Sequence, residues 1–265
     1  FALPLVAAAA RDAVSAGQFY VCDHTQCDFW VQLQGREGAT VIRPWLTAIQ
    51  DCRSRAIVGW RLVASPNQDS ILLALRDAFG EWGVPESIRI DNGRDFTAKA
   101  FTGMTKLERR ELLKTLGRDD YKAARRKDAA RLTCDDVRWQ GIFEELSINV
   151  IYAIPYSAWS KGTVERWFGT FHGQCGKLFA TYCGNDVKAR PEALQPILRG
   201  RHWHSRARRE AAAFADLSIV PTLDQARAQV ADYIELYHRN VHGSIKRPPL
   251  DCWQGVSLRK AEAQM

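Results

Sequence analysis

Apolar and polar positions divide the first part of the chain into short strands. Phe19-Tyr20-Val21-Cys22-Asp23 is a compact apolar run ending in an acid, and Phe29 to Leu33 is a second. Trp45 to Gln50 and Ala56 to Val63 flank the polar Asp51-Cys52-Arg53-Ser54-Arg55, a hairpin signal, while Gly35 to Gly38 reads as a turn. Three consecutive antiparallel strands are expected. Asn67 or Asp69 then caps a helix whose apolar positions are Ile71, Leu72, Leu75, Ala78 and Phe79, stopped by Gly83 and Pro85. Ser87-Ile88-Arg89-Ile90-Asp91 is another short strand ending in an acid, before the turn Asn92-Gly93. A helix between two strands is a crossover, so this strand should run parallel to its predecessor.

Further on, a helix around 135–146 leads to the buried-type strand Ile148 to Tyr152. A Pro- and Ser-containing turn follows, then an amphipathic helix beginning near Ala158 and reaching about Phe179. Its apolar face is Val164, Trp167, Phe168 and Phe171, and Lys161 and Glu165, four apart, share another face. Residues 184–215 are irregular and then basic. Pro221-Thr222-Leu223 opens a last strong helix through Ala226, Val230, Tyr233, Ile234 and Tyr237, which ends before Gly243. The order β-β-β-α-β-α-β-α predicts an α/β fold: a mixed sheet, antiparallel then parallel, flanked by helices. The expected division is a connector over 1–17, a core over 18–183 and a helical extension over 184–265.

At 265 residues and 46% apolar content the chain can bury a sizeable core. Its net charge of +7 suits a polyanionic partner without proving one. Most of that charge comes from a basic insertion at 103–132, where Lys106 to Arg131 hold ten Lys/Arg against five Asp/Glu. This is either a solvated helical insertion or an arm that contacts phosphates. Seven scattered Cys without a CxxC pair support neither a zinc ribbon nor a redox motif, and read as reduced, partly buried thiols of a cytoplasmic protein. His202-Trp203-His204 and His238-x3-His242 read as structural or surface residues rather than zinc ligands. No run is long enough to span a membrane. Starting at Phe1 without Met, the chain is expected to be a fragment of a longer protein.

Asp23 and Asp91 each sit where an apolar strand meets a polar turn, and ligands gather at strand ends in open α/β sheets. If the first strand is central and the fourth lies beside it, the two carboxylates are neighbours and need a cation between them. Glu165, on the helix after the fifth strand, can reach over the same edge. An Asp-Asp-Glu set without His or Cys favours Mg²⁺, with Mn²⁺ able to substitute, over zinc. Glu144 and Glu145 are rivals for the third position, and Asp28 and Asp51 for the first; Asp28 in a strand and Asp51 in a hairpin read as surface residues.

These residues carry a resemblance. Val21-Cys22-Asp23-His24-Thr25, Ile88-Arg89-Ile90-Asp91-Asn92-Gly93 and Lys161-Gly162-Thr163-Val164-Glu165-Arg166 resemble the three acidic motifs of the DDE transposase and retroviral integrase superfamily, with its ribonuclease-H-like core. The stretches Ile42 to Arg61 and Asn67 to Ile71 are similar to the phage Mu branch, and Tyr237 to Trp253 resembles the segment that closes many such cores. The 73 residues between Asp91 and Glu165 exceed the spacing of retroviral integrases, and the basic insertion fills the excess. The resemblance implies DNA transposition by phosphoryl transfer, with Asp23, Asp91 and Glu165 as catalytic and metal-holding residues and two ions once DNA is bound. Lys161, Arg166 and Asn92 become candidate DNA contacts. Implied partners are transposon-end and target DNA, further copies assembled on DNA, and an ATPase for target selection, in a protein associated with the nucleoid. A nuclease that only hydrolyses nucleic acid and a non-catalytic DNA-binding module are the alternatives.

Overall fold

The computed structural model describes residues 14–35, 38–90, 141–152, 162–184 and 217–253. The connector before 14, the basic insertion and the arginine-rich part of 184–216 lie outside the described residues.

Strand β1 (Phe19–Gln26) is the centre of a five-stranded sheet. Beyond it come the hairpin β2 (Val31–Gly35) and β3 (Gly38–Ile42), then β4 (Trp45–Asp51), β5 (Ile57–Val63), α1 (Gln68–Trp82) and β6 (Ser87–Ile90). A single helical turn, α2 (Ile142–Glu145), precedes β7 (Asn149–Tyr152), and the helices α3 (Gly162–Gln174) and α4 (Leu223–Arg239) follow. The sheet order is β5-β4-β1-β6-β7. β4 is antiparallel to β1 and β5 to β4, whereas β6 pairs parallel with β1 and β7 with β6. This is the ribonuclease-H-like order expected, with the first strand central and the strand after the crossover beside it.

One expectation is corrected. The run at 29–33 is not the second strand of the main sheet. It forms β2, whose strand partner is β3, an element the sequence pattern did not announce. Cys27 N–H donates to the Pro44 carbonyl at 2.8 Å and Arg43 Nε to the Cys27 carbonyl at 2.7 Å, closing the neck of this arm. Below that neck β1 pairs directly with β4, from Gln26 opposite Trp45 down to Tyr20 opposite Asp51.

Alternation along the strands gives the sheet two apolar faces. Tyr20, Cys22, Ile49, Val58 and Ile88 pack with Ile71, Ala74, Leu75, Ala78 and Phe79 of α1 and with Phe143 of α2. On the other face, Val21, Leu46, Ala48 and Leu62 pack with Val164, Trp167, Phe168 and Phe171 of α3 and with Ala226, Val230, Tyr233 and Ile234 of α4. Asn67 caps α1 reciprocally: its Oδ1 accepts from Ser70 N–H at 2.8 Å and its own N–H reaches Ser70 Oγ. α1 lies against β5 where Gly59 removes a side chain, since a Cβ there would fall 2.4 Å from the Ala74 carbonyl oxygen. Thr222 and Gln225 make a second capping box for α4, and Arg227 Nε donates to the Leu62 carbonyl of edge strand β5. Among the described residues no helix is long and apolar enough to cross a membrane, and none of Cys22, Cys27, Cys52, Cys175, Cys183 and Cys252 is in a disulfide.

Candidate active site

Asp23 belongs to the face that α3 covers. Its neighbours Cys22 and Val21 point to opposite sides, and Val21, of the same parity as Asp23, packs with α3 and α4. Its cross-strand partner Ala48 lies in the same cluster. Thr25, two residues on, meets α3 directly, with Oγ1 3.3 Å from His172 Nε2. The Asp23 carboxylate is half-buried, and its Oδ1 accepts the His24 backbone N–H at 2.9 Å.

Glu165 stands in the first turn of α3, where the helix dipole favours a negative charge. Burial of Val164, Trp167, Phe168 and Phe171 fixes the rotation of the helix and leaves Glu165 and Arg166 exposed. Trp167 therefore packs rather than offering a surface for base stacking. Arg166 lies about 100° around the axis from Glu165 and lines a cavity shared with α4. Asp91, Asn92 and Lys161 lie outside the described residues. Among the described residues no three His, Cys, Asp or Glu side chains form a metal-holding group. The rivals Glu144 and Glu145 sit on α2, which packs on the opposite face of the sheet.

Two acids read as surface residues are buried instead. Asp28 is not within a strand but in the bend after β1, 3% exposed. Arg43 Nη2 donates to its Oδ1 at 2.7 Å, and His172 Nδ1 is 3.5 Å from its Oδ2. Asp51 is fully buried because it organises the β4–β5 turn, accepting Ser54 N–H and Oγ–H at 2.6 and 2.7 Å and Gly17 N–H at 3.1 Å. Burial pushes the Asp51 carboxyl up, against those hydrogen bonds.

The sequence reading missed His172. Seven residues after Glu165, it falls about 20° from it around the helix, and this spacing was the available signal. Its contacts with Thr25 and Asp28 tie the C-terminal half of α3 to the end of β1. Burial lowers the His172 pKa, Asp28 opposes that shift and Arg43 adds to it.

Residues 12–123 match the family model described as Bacteriophage Mu transposase, a span that holds Asp23 and Asp91 but not Glu165. The expected resemblance to Mu-type transposases is borne out over that span, which is less than half of the chain. The transposase for transposon Tn552 from Staphylococcus aureus is 33% identical over 97 residues, which are 33% of this chain and 20% of that protein. Mu-like prophage FluMu transposase A from Haemophilus influenzae is 34% identical over 84 residues, 32% of this chain and 12% of that protein. The chain thus spans a fifth or less of the length of these relatives. The HTLV-2 integrase catalytic core domain, solved in complex with magnesium, superposes with a TM-score of 0.42 and 12% identity over 90% of this chain and 97% of that one.

Proposed function

We propose that this chain is the catalytic core of a DDE-type DNA transposase, acting through Asp23, Asp91 and Glu165. The observation that carries the reading is the placement of Asp23 on the face of the central strand that the Glu165-bearing helix covers. Asp91 directly follows Ile90, the last residue of β6. β6 pairs in parallel beside β1, with Phe19 opposite Ser87 and Val21 opposite Arg89. The two relatives are transposases, in keeping with this activity.

The donor set fits a hard cation: carboxylate oxygens alone, on a half-buried aspartate and an exposed helical glutamate. Asp23, Asp91 and Glu165 would hold Mg²⁺, or Mn²⁺ in its place. Two such ions in the DNA-bound state supply charge neutralisation at the phosphodiester and a more nucleophilic oxygen. In the reaction, water cleaves a phosphodiester at the transposon end and leaves a 3′-OH. That hydroxyl then attacks a target phosphodiester, forming one P–O bond as another breaks. The chain's own part is positioning. The apolar face of α3 fixes Glu165, the β1–β4 ladder fixes Asp23, and Lys161, Arg166 and Asn92 contact the DNA. Residues 18–183 form the catalytic layer and 184–265 extend it. Copies assemble on the DNA, and an ATPase partner selects targets.

The test is strand transfer with pre-cut transposon ends and Mg²⁺. Glu165→Gln should abolish joining and keep DNA binding. Metal-dependent joining that survives both Asp23→Asn and Glu165→Gln refutes the site, and cleavage of generic duplex without joining makes the protein a nuclease.

A further inference from the structure

We propose that a cavity of about 310 Å³ between α3, α4 and the segment after α4 is a phosphate-binding site that grips a backbone phosphodiester of the DNA. The proposal rests on the transposase reading for its ligand, but its geometry is independent of the acidic residues. Three cationic or ionisable groups from three separate elements meet there: Arg55 from the β4–β5 turn, Arg166 from α3 and His242 from the segment after α4. None of the described residues lining the cavity is an acid. The His242 pKa is lowered first by burial and then by Arg55 and Arg166, which places all three within electrostatic reach of one another. Like charges so arranged raise each other's energy, and an anion among them turns repulsion into attraction. Guanidinium groups match a phosphate with forked, charge-assisted hydrogen bonds. His242 Nδ1 accepts the Ser244 N–H at 3.2 Å, so the neutral ring carries its proton on Nε2 as a third donor.

The backbone at Arg55 gives a second, independent sign. Its φ is 66°, in the left-handed region that glycine or asparagine ordinarily fills in a tight turn. Three hydrogen bonds hold it there: its N–H donates to the Asp51 carbonyl at 3.0 Å, and its own carbonyl accepts from Gln50 Nε2 and the Tyr237 hydroxyl. The Arg55 side chain is itself buried, 6% exposed, and lines the cavity. The lip is apolar: Leu236 and Val241 are 57% and 68% exposed, suited to lie against deoxyribose while the phosphate enters. Arg166 directly follows Glu165 in α3, so the gripped phosphate lies beside the proposed reaction edge, which favours DNA over an acidic peptide as the occupant.

The test is fluorescence anisotropy of the 265-residue chain with a labelled duplex bearing a single-stranded end, across about 50 to 200 mM salt. Arg55→Gly should weaken binding about tenfold, as expected for one charge-assisted contact. It should also flatten the dependence of log affinity on log salt by about 0.9, one phosphate's worth. Glycine accepts this φ without strain, so the variant should keep a single cooperative unfolding transition, checked by thermal unfolding. Arg166→Gln, on an exposed helix position, should weaken binding and flatten the slope likewise. Unchanged affinity and slope in both variants, while the parent binds DNA, overturns the phosphate site and leaves the transposase reading standing. A parent that binds no DNA at any salt overturns both. A thermal shift by deoxyadenosine monophosphate that is lost in Arg55→Gly, with DNA affinity unchanged, assigns the cavity to free nucleotides and overturns the backbone proposal.

Discussion

His238, at the end of α4, gives the chain a built-in sensitivity to acid. Its Nε2 accepts the Ile57 backbone N–H at 2.9 Å where β5 begins, and its ring packs edge-on against Trp82 at 5.4 Å between centroids. An acceptor nitrogen must be unprotonated, and burial lowers the pKa from 6.5 to about 4. Because the folded pKa lies below the unfolded one, the unfolded chain binds the extra proton between pH 4 and 6.5. Stability therefore rises with pH by about 1.4 kcal/mol per unit over that window. The contribution is fully present above pH 6.5 and is lost as pH falls to about 4, a total of about 3 kcal/mol. For a protein whose net stability is of order 5–15 kcal/mol this is a large share. Urea unfolding of the parent and of His238→Gln at intervals from pH 4 to 8 isolates the effect, because other titrating groups cancel in the difference. The parent should be the more stable at pH 7, and its advantage should shrink steadily below pH 6.5. An advantage of the same size at pH 7 and pH 4.5 would refute the reasoning, since it would mean that the ring is equally protonated in both states.

Further outcomes follow from packing and charge. Gly59→Ala drives a Cβ against the Ala74 carbonyl and should lower stability by about 1–3 kcal/mol, read as a lower urea midpoint with an unchanged slope; an unshifted midpoint would mean α1 does not approach β5 so closely. Asp28→Asn should cost about 2 kcal/mol, below the full penalty of breaking a buried pair because Arg43 remains partly in water. Its effect should be non-additive with that of His172→Ala, whose Nδ1 lies 3.5 Å from the Asp28 Oδ2, and additive unfolding energies would refute coupling between the two side chains.

The local signals in the sequence were sound wherever local physics decides. The helix starts were legible to within a residue or two, as Asn67 or Asp69 for α1 and Pro221-Thr222-Leu223 for α4, and Asn67 and Thr222 make the reciprocal hydrogen bonds of a capping box. The buried stripe of α3 followed from 3.6-residue spacing, and with it the exposure of Glu165. β1 was legible as a strand ending near an acid, and its alternation sorts Val21 from Tyr20 and Cys22 onto opposite faces. The β2–β3 arm was not legible, because what separates it from the sheet is a neck joining Cys27 to Arg43 and Pro44, a contact without periodicity. Asp28 and Asp51 were misread for a related reason. A polar residue beside a turn is ordinarily wet, and only tertiary partners, Arg43 and His172 for one and Ser54 and Gly17 for the other, make burial affordable. Arg55 and His242 lie far apart in the sequence and meet only in the folded cavity.

What joins these observations is the way α3 distributes its surface. One stripe, Val164, Trp167, Phe168 and Phe171, is committed to the core and sets the helix's rotation. A second, Glu165 and His172, is two turns long and nearly aligned. Its far end is held by Thr25 and the buried Asp28, so its near end has little freedom to turn. A third, Arg166, Thr170 and Gln174, faces the cavity and α4. Rotating the helix by one residue's worth of turn would pull Val164 from the core, part His172 from Asp28 and swing Arg166 out of the cavity together. Each stripe therefore opposes the same motion, and a carboxylate in the first turn is positioned by contacts that never touch it. The sheet's other face shows the contrast: α1 packs there through apolar side chains and the close approach at Gly59, and every proposed catalytic or DNA-contacting group among the described residues lies on the α3 side. The asymmetry begins in β1, where Val21 and Asp23 face one way and Tyr20 and Cys22 the other.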